Sequence, residues 1–330
     1  HAAEISRYYD GFFFVAGSWD ENAPQQLGLT GGDAPWKSQV TENIRHLREA
    51  GATENFLDVY FSDNGAWPSP DTLLSKEFGK KMVDQFGAIA RSGKEMGFAG
   101  ICVDIEYPYP RYAVTHPVWT YDGYTTEDLM AAAREQGHAV TLSMLDAFPE
   151  AVIMVLPGSL RSRALARAFQ LGMLAAMAER NAPGGFHFGL ERSYCMLEPV
   201  SQVGIPREGD LAVLVEEQDP KVLDYWKRCC SVAPGVWPLH MIETGAKDYP
   251  VRPWAEEMAE LRQQMSILRC VAKRYVWSFT SHAIWHPYTA AVKEKYGLGA
   301  TDFPEAESVA AAWRQILTDK PRTEDPKLLR

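Results

Sequence analysis

Short apolar runs and longer stretches of helical periodicity alternate along the chain, and this alternation sets the expected elements. Phe12-Phe13-Phe14-Val15 reads as a first strand, stopped by Ala16-Gly17-Ser18-Trp19-Asp20. A helix follows Pro35 with Val40, Ile44 and Leu47 on one face and ends near Gly51. Phe56 to Phe61 is the second strand, and a long helix then carries Leu74, Phe78, Met82, Phe86 and Ile89. The third strand is the Gly-bounded run from Gly97 through Glu106. A helix with its N-cap at Thr126, the fourth strand at Val152 to Leu156, and a helix over about 160–180 rich in Leu, Ala and Met come next. Gly185 to Glu191 is the fifth strand, Leu211 to Val215 a weaker sixth, Val236 to Glu243 a seventh, and Tyr275 to Phe279 an eighth. A helix from Pro253 presents Met258, Leu261, Met265 and Leu268, and two closing helices are expected over 288–296 and 304–317.

Strand and helix alternating eight times is the rhythm of an α/β fold, a single (β/α)8 TIM barrel. A doubly wound sheet shares the rhythm, but no Gly-rich phosphate turn follows the first strand. No internal repeat or linker splits the chain. Residues 1–330 therefore read as one catalytic barrel domain with a charged C-terminal tail from about 320.

Composition narrows the partners. The 330 residues are 46% hydrophobic and 23% charged, which suits a globular core, and the net charge of −10 argues against a nucleic-acid footprint. No apolar run is long enough for a membrane span. The five cysteines show no metal or disulfide spacing and are expected to be buried free thiols. The chain opens on His1 rather than Met; the compartment is unknown from sequence, and a secreted or periplasmic location is expected only if a secretory signal was removed. The oligomeric state is not legible.

Carboxylates recur at the strand ends, where barrel enzymes keep their chemistry. Asp104 and Glu106 follow the third strand, two residues apart and so on one side of it. Glu191 follows the fifth strand, Glu243 the seventh and Asp20 the first. Paired carboxylates, one protonated and one ionised, are what glycosidic bond cleavage requires. Aromatic residues gather beside them: Trp19, Trp67, Tyr107, Tyr109, Trp119, Tyr194, Trp277 and Trp285 are the candidate walls and floors of a sugar-binding cleft.

The stretch Ala99-Gly100-Ile101-Cys102-Val103-Asp104-Ile105-Glu106-Tyr107-Pro108 resembles the active-site strand of the chitinase-type glycoside hydrolases of family 18. Gly100, Asp104, Glu106 and Tyr107-Pro108 match that pattern, while Ala99 and Cys102 stand where the family has its first two aspartates. The resemblance implies Glu106 as general acid and Asp104 as its partner. Together these features lead to the expectation of a glycoside hydrolase acting on an oligo- or polysaccharide, with Glu191 or Glu243 as second carboxylate and with no metal or cofactor. Two alternatives stand beside it. One is a divalent-metal sugar isomerase or epimerase of the xylose-isomerase-like barrel type, using residues such as His187, His240, Glu191 and Glu243. The other is a carbohydrate-binding barrel without catalysis.

Overall fold

A computed structural model of the chain describes residues 2–19, 35–61, 69–105, 121–156, 164–191, 219–237, 254–279 and 306–319. Among the described residues seven parallel strands lie in chain order: β1 (Phe13–Trp19), β2 (Phe56–Phe61), β3 (Gly100–Asp104), β4 (Val152–Leu156), β5 (Phe186–Leu190), β6 (Ser231–Val236) and β7 (Trp277–Ser278). The order of the described strands never reverses, so they contain no switch point of the doubly wound kind. This is the α/β topology of a (β/α) barrel. The helices are α1 (Ala2–Ile5), α2 (Pro35–Glu49), α3 (Pro70–Leu74), α4 (Lys76–Met96), α5 (Thr126–Ala147), α6 (Ala164–Glu179), α7 (Pro220–Cys229), α8 (Trp254–Val271) and α9 (Ala306–Thr318).

Internal contacts divide the chain into two compact units, His1–Leu190 with Arg207–Ala233, and Glu191–Pro206 with Pro234–Arg330. In the first, alternate residues of the central strands, Leu57 and Val59, Ile101 and Val103, Ile153 and Val155, Phe186 and Phe188, join one apolar core with Met82, Phe86, Met144, Phe169 and Met173 of the helices. Asn55, fully buried, sets the start of β2: its side-chain oxygen accepts from the Phe12 amide at 3.2 Å while its amide donates to the Ala52 carbonyl at 2.7 Å. Helices α5 and α6 approach closely through glycine. A Cβ on Gly137 would stand 2.1 Å from the Phe169 carbonyl oxygen, and one on Gly172 2.0 Å from that of Arg134. The Gln136 amide of α5 also donates to the Gly79 carbonyl of α4, at 3.1 Å.

In the second unit Val236 packs with Met258, Leu261, Met265 and Leu268 of α8 and Trp313 and Ile316 of α9, as the periodicity after Pro253 predicts. Arg269 closes the end of α9, donating to the carbonyls of Ile316, Leu317 and Asp319 at 2.6–3.0 Å.

Several expected boundaries move. The long helix breaks at Ser75, whose backbone is extended and whose hydroxyl accepts from the Phe78 amide as the N-cap of α4. The cap of α5 is Thr125, one residue before the expected Thr126, because Asp128 then completes a reciprocal capping box. Strand β6 lies at Ser231–Val236 and meets the expected Val236 to Glu243 run at one residue; Pro234 and Gly235 disguise it as a turn. The expected strand at Leu211 to Val215 and the helix over 288–296 lie outside the described residues.

Candidate functional site

Within the first unit the face of the sheet turned away from the helical core carries the polar side chains. Backbone register places Asp58 of β2 beside Cys102 of β3, Cys102 beside Met154 of β4, and Met154 beside His187 of β5. Register partners in a parallel sheet share a side, so these four form one row. His187 continues it to β6, with Nδ1 2.9 Å from the Ser231 hydroxyl. The whole row is buried: Asp58 is 5% exposed, and Cys102, Met154, His187 and Ser231 are 2% or less. Side chains at this depth in barrels of this class are usually bulky and apolar, so a row of acid, thiol, thioether, imidazole and hydroxyl departs from packing needs.

Asp104 stands two residues beyond Cys102, hence on the same side and nearer the C-terminal end of β3. It is half-buried, and Tyr60 is its register partner on β2. The Ile105 amide donates to the Leu156 carbonyl at 2.6 Å, so the ladder continues past Asp104 and holds its orientation. The Cys102 thiol lies under the influence of both carboxylates. Burial pushes it well above the ordinary thiol range, the negative charges of Asp58 and Asp104 push it further, and a hydrogen bond to Asp58 adds to them. Cys102 is thus a protonated donor to Asp58 and is not a thiolate nucleophile at neutral pH.

The glycine of the motif has a packing reason. A Cβ at Gly100 would lie 1.9 Å from the Val152 carbonyl oxygen, so the β3–β4 pairing itself demands glycine there.

Among the other candidates, Glu191 directly follows β5, half-buried, and Trp277 is 7% exposed on β7. Trp19 is the last residue of β1, paired in register with Phe61. Asp20, Trp67, Glu106, Tyr107, Tyr109, Trp119, Tyr194, Glu243 and Trp285 lie outside the described residues. Asp58 and Ser231 were not among the expected site residues, and His187 entered only as an alternative metal ligand. Asp58 had a signal, an acid at the third position of an otherwise apolar and aromatic strand. Among the described residues no three His, Cys, Asp or Glu side chains gather as a metal site, and no helix is long and apolar enough to cross a membrane.

No protein-family model and no curated protein matches the chain. Among solved structures it is similar to morphinone reductase in complex with tetrahydroNAD, at 13% identity and a TM-score of 0.39, over 91% of this chain and 82% of that one. A likeness so distant carries no activity across. The glycoside-hydrolase expectation is corrected all the same. The family 18 resemblance finds no matching family model. The strand itself supplies a physical reason: where the family has its middle aspartate, this chain has a buried thiol that stays protonated, so the line of carboxylates is broken at Cys102. The polysaccharide substrate, the sugar-isomerase alternative and the carbohydrate-binding alternative go with it, none being supported by a family model or a curated relative.

Proposed function

We propose that this chain is a general acid–base enzyme of the α/β-barrel class, with Asp104 as the group that exchanges a proton with a small polar substrate. The observation that carries the reading is the arrangement on β2 and β3: two carboxylates on one face with a neutral thiol under the influence of both. Asp104 stands at the strand's C-terminal end, where enzymes of this architecture work. Asp58, deeper and 5% exposed, is a positioning residue; it takes the Cys102 hydrogen bond and sets the negative field in which Asp104 gains or loses its proton. Glu106, two residues on, is the second proton-transfer group of the proposal. An acidic face selects neutral or cationic substrates over anions. The same reading takes residues 1–330 as one catalytic domain, supported by a strand order that follows the chain without reversal.

The transfer is a simple exchange. The Asp104 carboxylate accepts a proton from a substrate O–H or C–H and becomes a carboxylic acid, and that proton passes back to substrate or on to solvent. Incubation in deuterated water with panels of small hydroxy ketones, amino acids and amines, read by proton NMR, tests it. The wild type is expected to wash deuterium into at least one panel member. Asp104→Asn should slow that exchange about 10²–10⁴-fold, the usual contribution of a positioned acid or base. Exchange at the wild-type rate in Asp104→Asn overturns the assignment.

A further inference from the structure

Asp104 has an apolar neighbour whose direction is set one strand further on. In β4, Ile153 and Val155 enter the helix-facing core, so Met154 and Leu156 face the side of Asp104. Leu156 is the register partner of Asp104 and is 4% exposed. On its other flank, the pairing of Val155 with Phe188 brings Leu156 level with Gly189 of β5. A Cβ on Gly189 would lie 2.0 Å from Leu156 Cδ2. The isobutyl group therefore leans over β5, into the space that glycine leaves empty, and away from Asp104. The His187 ring, below it, leans toward the start of β5: its Nε2 lies 3.0 Å from where a Gly185 Cβ would stand. Gly189 differs in kind from Gly100. At Gly100 the atom in the way is a backbone carbonyl oxygen, so the ladder itself excludes a side chain. At Gly189 it is the flexible end of a leucine, and the Val155 carbonyl oxygen, at 3.1 Å, need give only slightly. Alanine is thus compatible with the strand at 189 and suits a strand interior better than glycine does. What glycine supplies there is a place for Leu156.

Building on the proton-transfer role given to Asp104, we infer that Gly189 and Leu156 are the specificity-determining pair of that site. With the isobutyl group drawn over β5, room is left on the β4 side of the half-buried Asp104 for an alkyl substituent of the substrate. The site is then two-sided. Asp58, Cys102 and Asp104 make a polar side on β2 and β3, while Leu156, with Met154 beneath it, makes an apolar side on β4. A hydroxyl pressed against Leu156 loses its water without gaining a partner, whereas a methylene there is favourably buried. The substrate class that fits both sides is a small molecule whose proton-bearing centre carries a short alkyl chain.

Hydroxymethyl ketones bearing a methyl, ethyl, propyl or butyl group are the probes, with binding followed by saturation-transfer NMR and deuterium exchange measured on the same full chain. From methyl to propyl, each added methylene is expected to tighten binding to the wild type about 2- to 4-fold. Gly189→Ala turns the isobutyl group back toward Asp104 and should weaken the propyl ketone about 10-fold more than the methyl one. Shortening the leucine removes the obstruction, so Gly189→Ala combined with Leu156→Ala should recover the rising order. Thermal unfolding should place Gly189→Ala at or above the wild type. A glycine required only by the strand would give the reverse, lost stability with an unchanged order of homologues, and that result overturns the inference. Leu156→Ala alone, which leaves Gly189 in place, should extend the rising order to the butyl ketone; an order that ignores it overturns the inference as well. So does failure of every homologue to bind at millimolar concentration. The expected binding order without any deuterium exchange would sink the role of Asp104 alone. Exchange that Asp104→Asn slows, in a protein whose homologue order ignores both positions, would sink the specificity pair alone.

Discussion

The two faces of strands β2 to β5 differ in what they ask of their residues. On one, Leu57, Val59, Ile101, Val103, Ile153, Val155, Phe186 and Phe188 are apolar without exception and join a single core with the helices. On the other, one step out of phase, the row reads Asp58, Cys102, Met154, His187. Both faces are buried, so burial does not distinguish them. What differs is chemistry. The helix-facing set is chosen for shape and transfer free energy, while the opposite row keeps polar groups whose burial is costly unless they are partnered. The proposed proton-transfer site is built on this polar side.

The contrast breaks most visibly on the packing face. Ile101→Ala should cost about 2–5 kcal/mol, because Ile101 is fully buried among Leu57 and the helices and the cavity left behind is only partly refilled. Urea unfolding measures it, and a loss below 1 kcal/mol would mean that this face is not the packed core described above. The next effect is smaller. Gly137→Ala places a methyl where the Phe169 carbonyl oxygen stands, so α5 and α6 must separate, at an expected cost of about 1–3 kcal/mol. Thermal unfolding of this variant should report the loss without any change in binding at the strand ends. Stability unchanged from wild type would place the two helices further apart than described.

How much of this was legible beforehand follows the same division. Strands β2 and β4 were readable residue for residue, because Phe56 to Phe61 and Val152 to Leu156 are apolar runs with clear stops. The core periodicity after Pro253 was equally plain. The row containing Asp58 was not. A strand buried on both faces shows little alternation, so its sequence does not say which residues share a side with those of its neighbours. Asp104 and Glu106 were singled out together at a strand end, with Glu106 as general acid and Asp104 as its partner, and Glu106 lies outside the described residues. Asp58, which shares the face of Asp104, comes from the adjacent strand, through a pairing register that no single segment encodes. Strand β6 was hidden for a different reason. Ser-Val-Ala-Pro-Gly-Val carries two turn formers in six residues, and only its place between its neighbours in the sheet makes it a strand.

The smallest effect bears on the polar row itself, through Cys102. Its thiol is held protonated in the fold by burial first, and then by the charges of Asp58 and Asp104. In the unfolded chain it returns to its ordinary value of 9.0. A folded-state value raised above the unfolded one means that the native protein binds the proton more tightly. That contribution to stability is complete below the unfolded value and declines as pH rises past it, because the unfolded chain then sheds a proton the folded chain retains. At pH 9.5 the loss from this one group should be about 0.8 kcal/mol relative to neutral pH, by proton linkage. Tyr225, likewise pushed up by burial, adds its own decline only above its ordinary 10.0. The window from about pH 8.5 to 10 therefore isolates thiol behaviour. Serine at position 102 can still donate to Asp58 but does not titrate in this range. The wild-type stability should fall across the window more steeply than that of Cys102→Ser, and the difference between the two curves is the quantity to measure by denaturant unfolding. Parallel curves would mean that the Cys102 thiol ionises as readily in the fold as out of it. The row would then be neither as dry nor as negatively charged as its burial and its two flanking aspartates require, and the contrast between the faces would lose its electrostatic half.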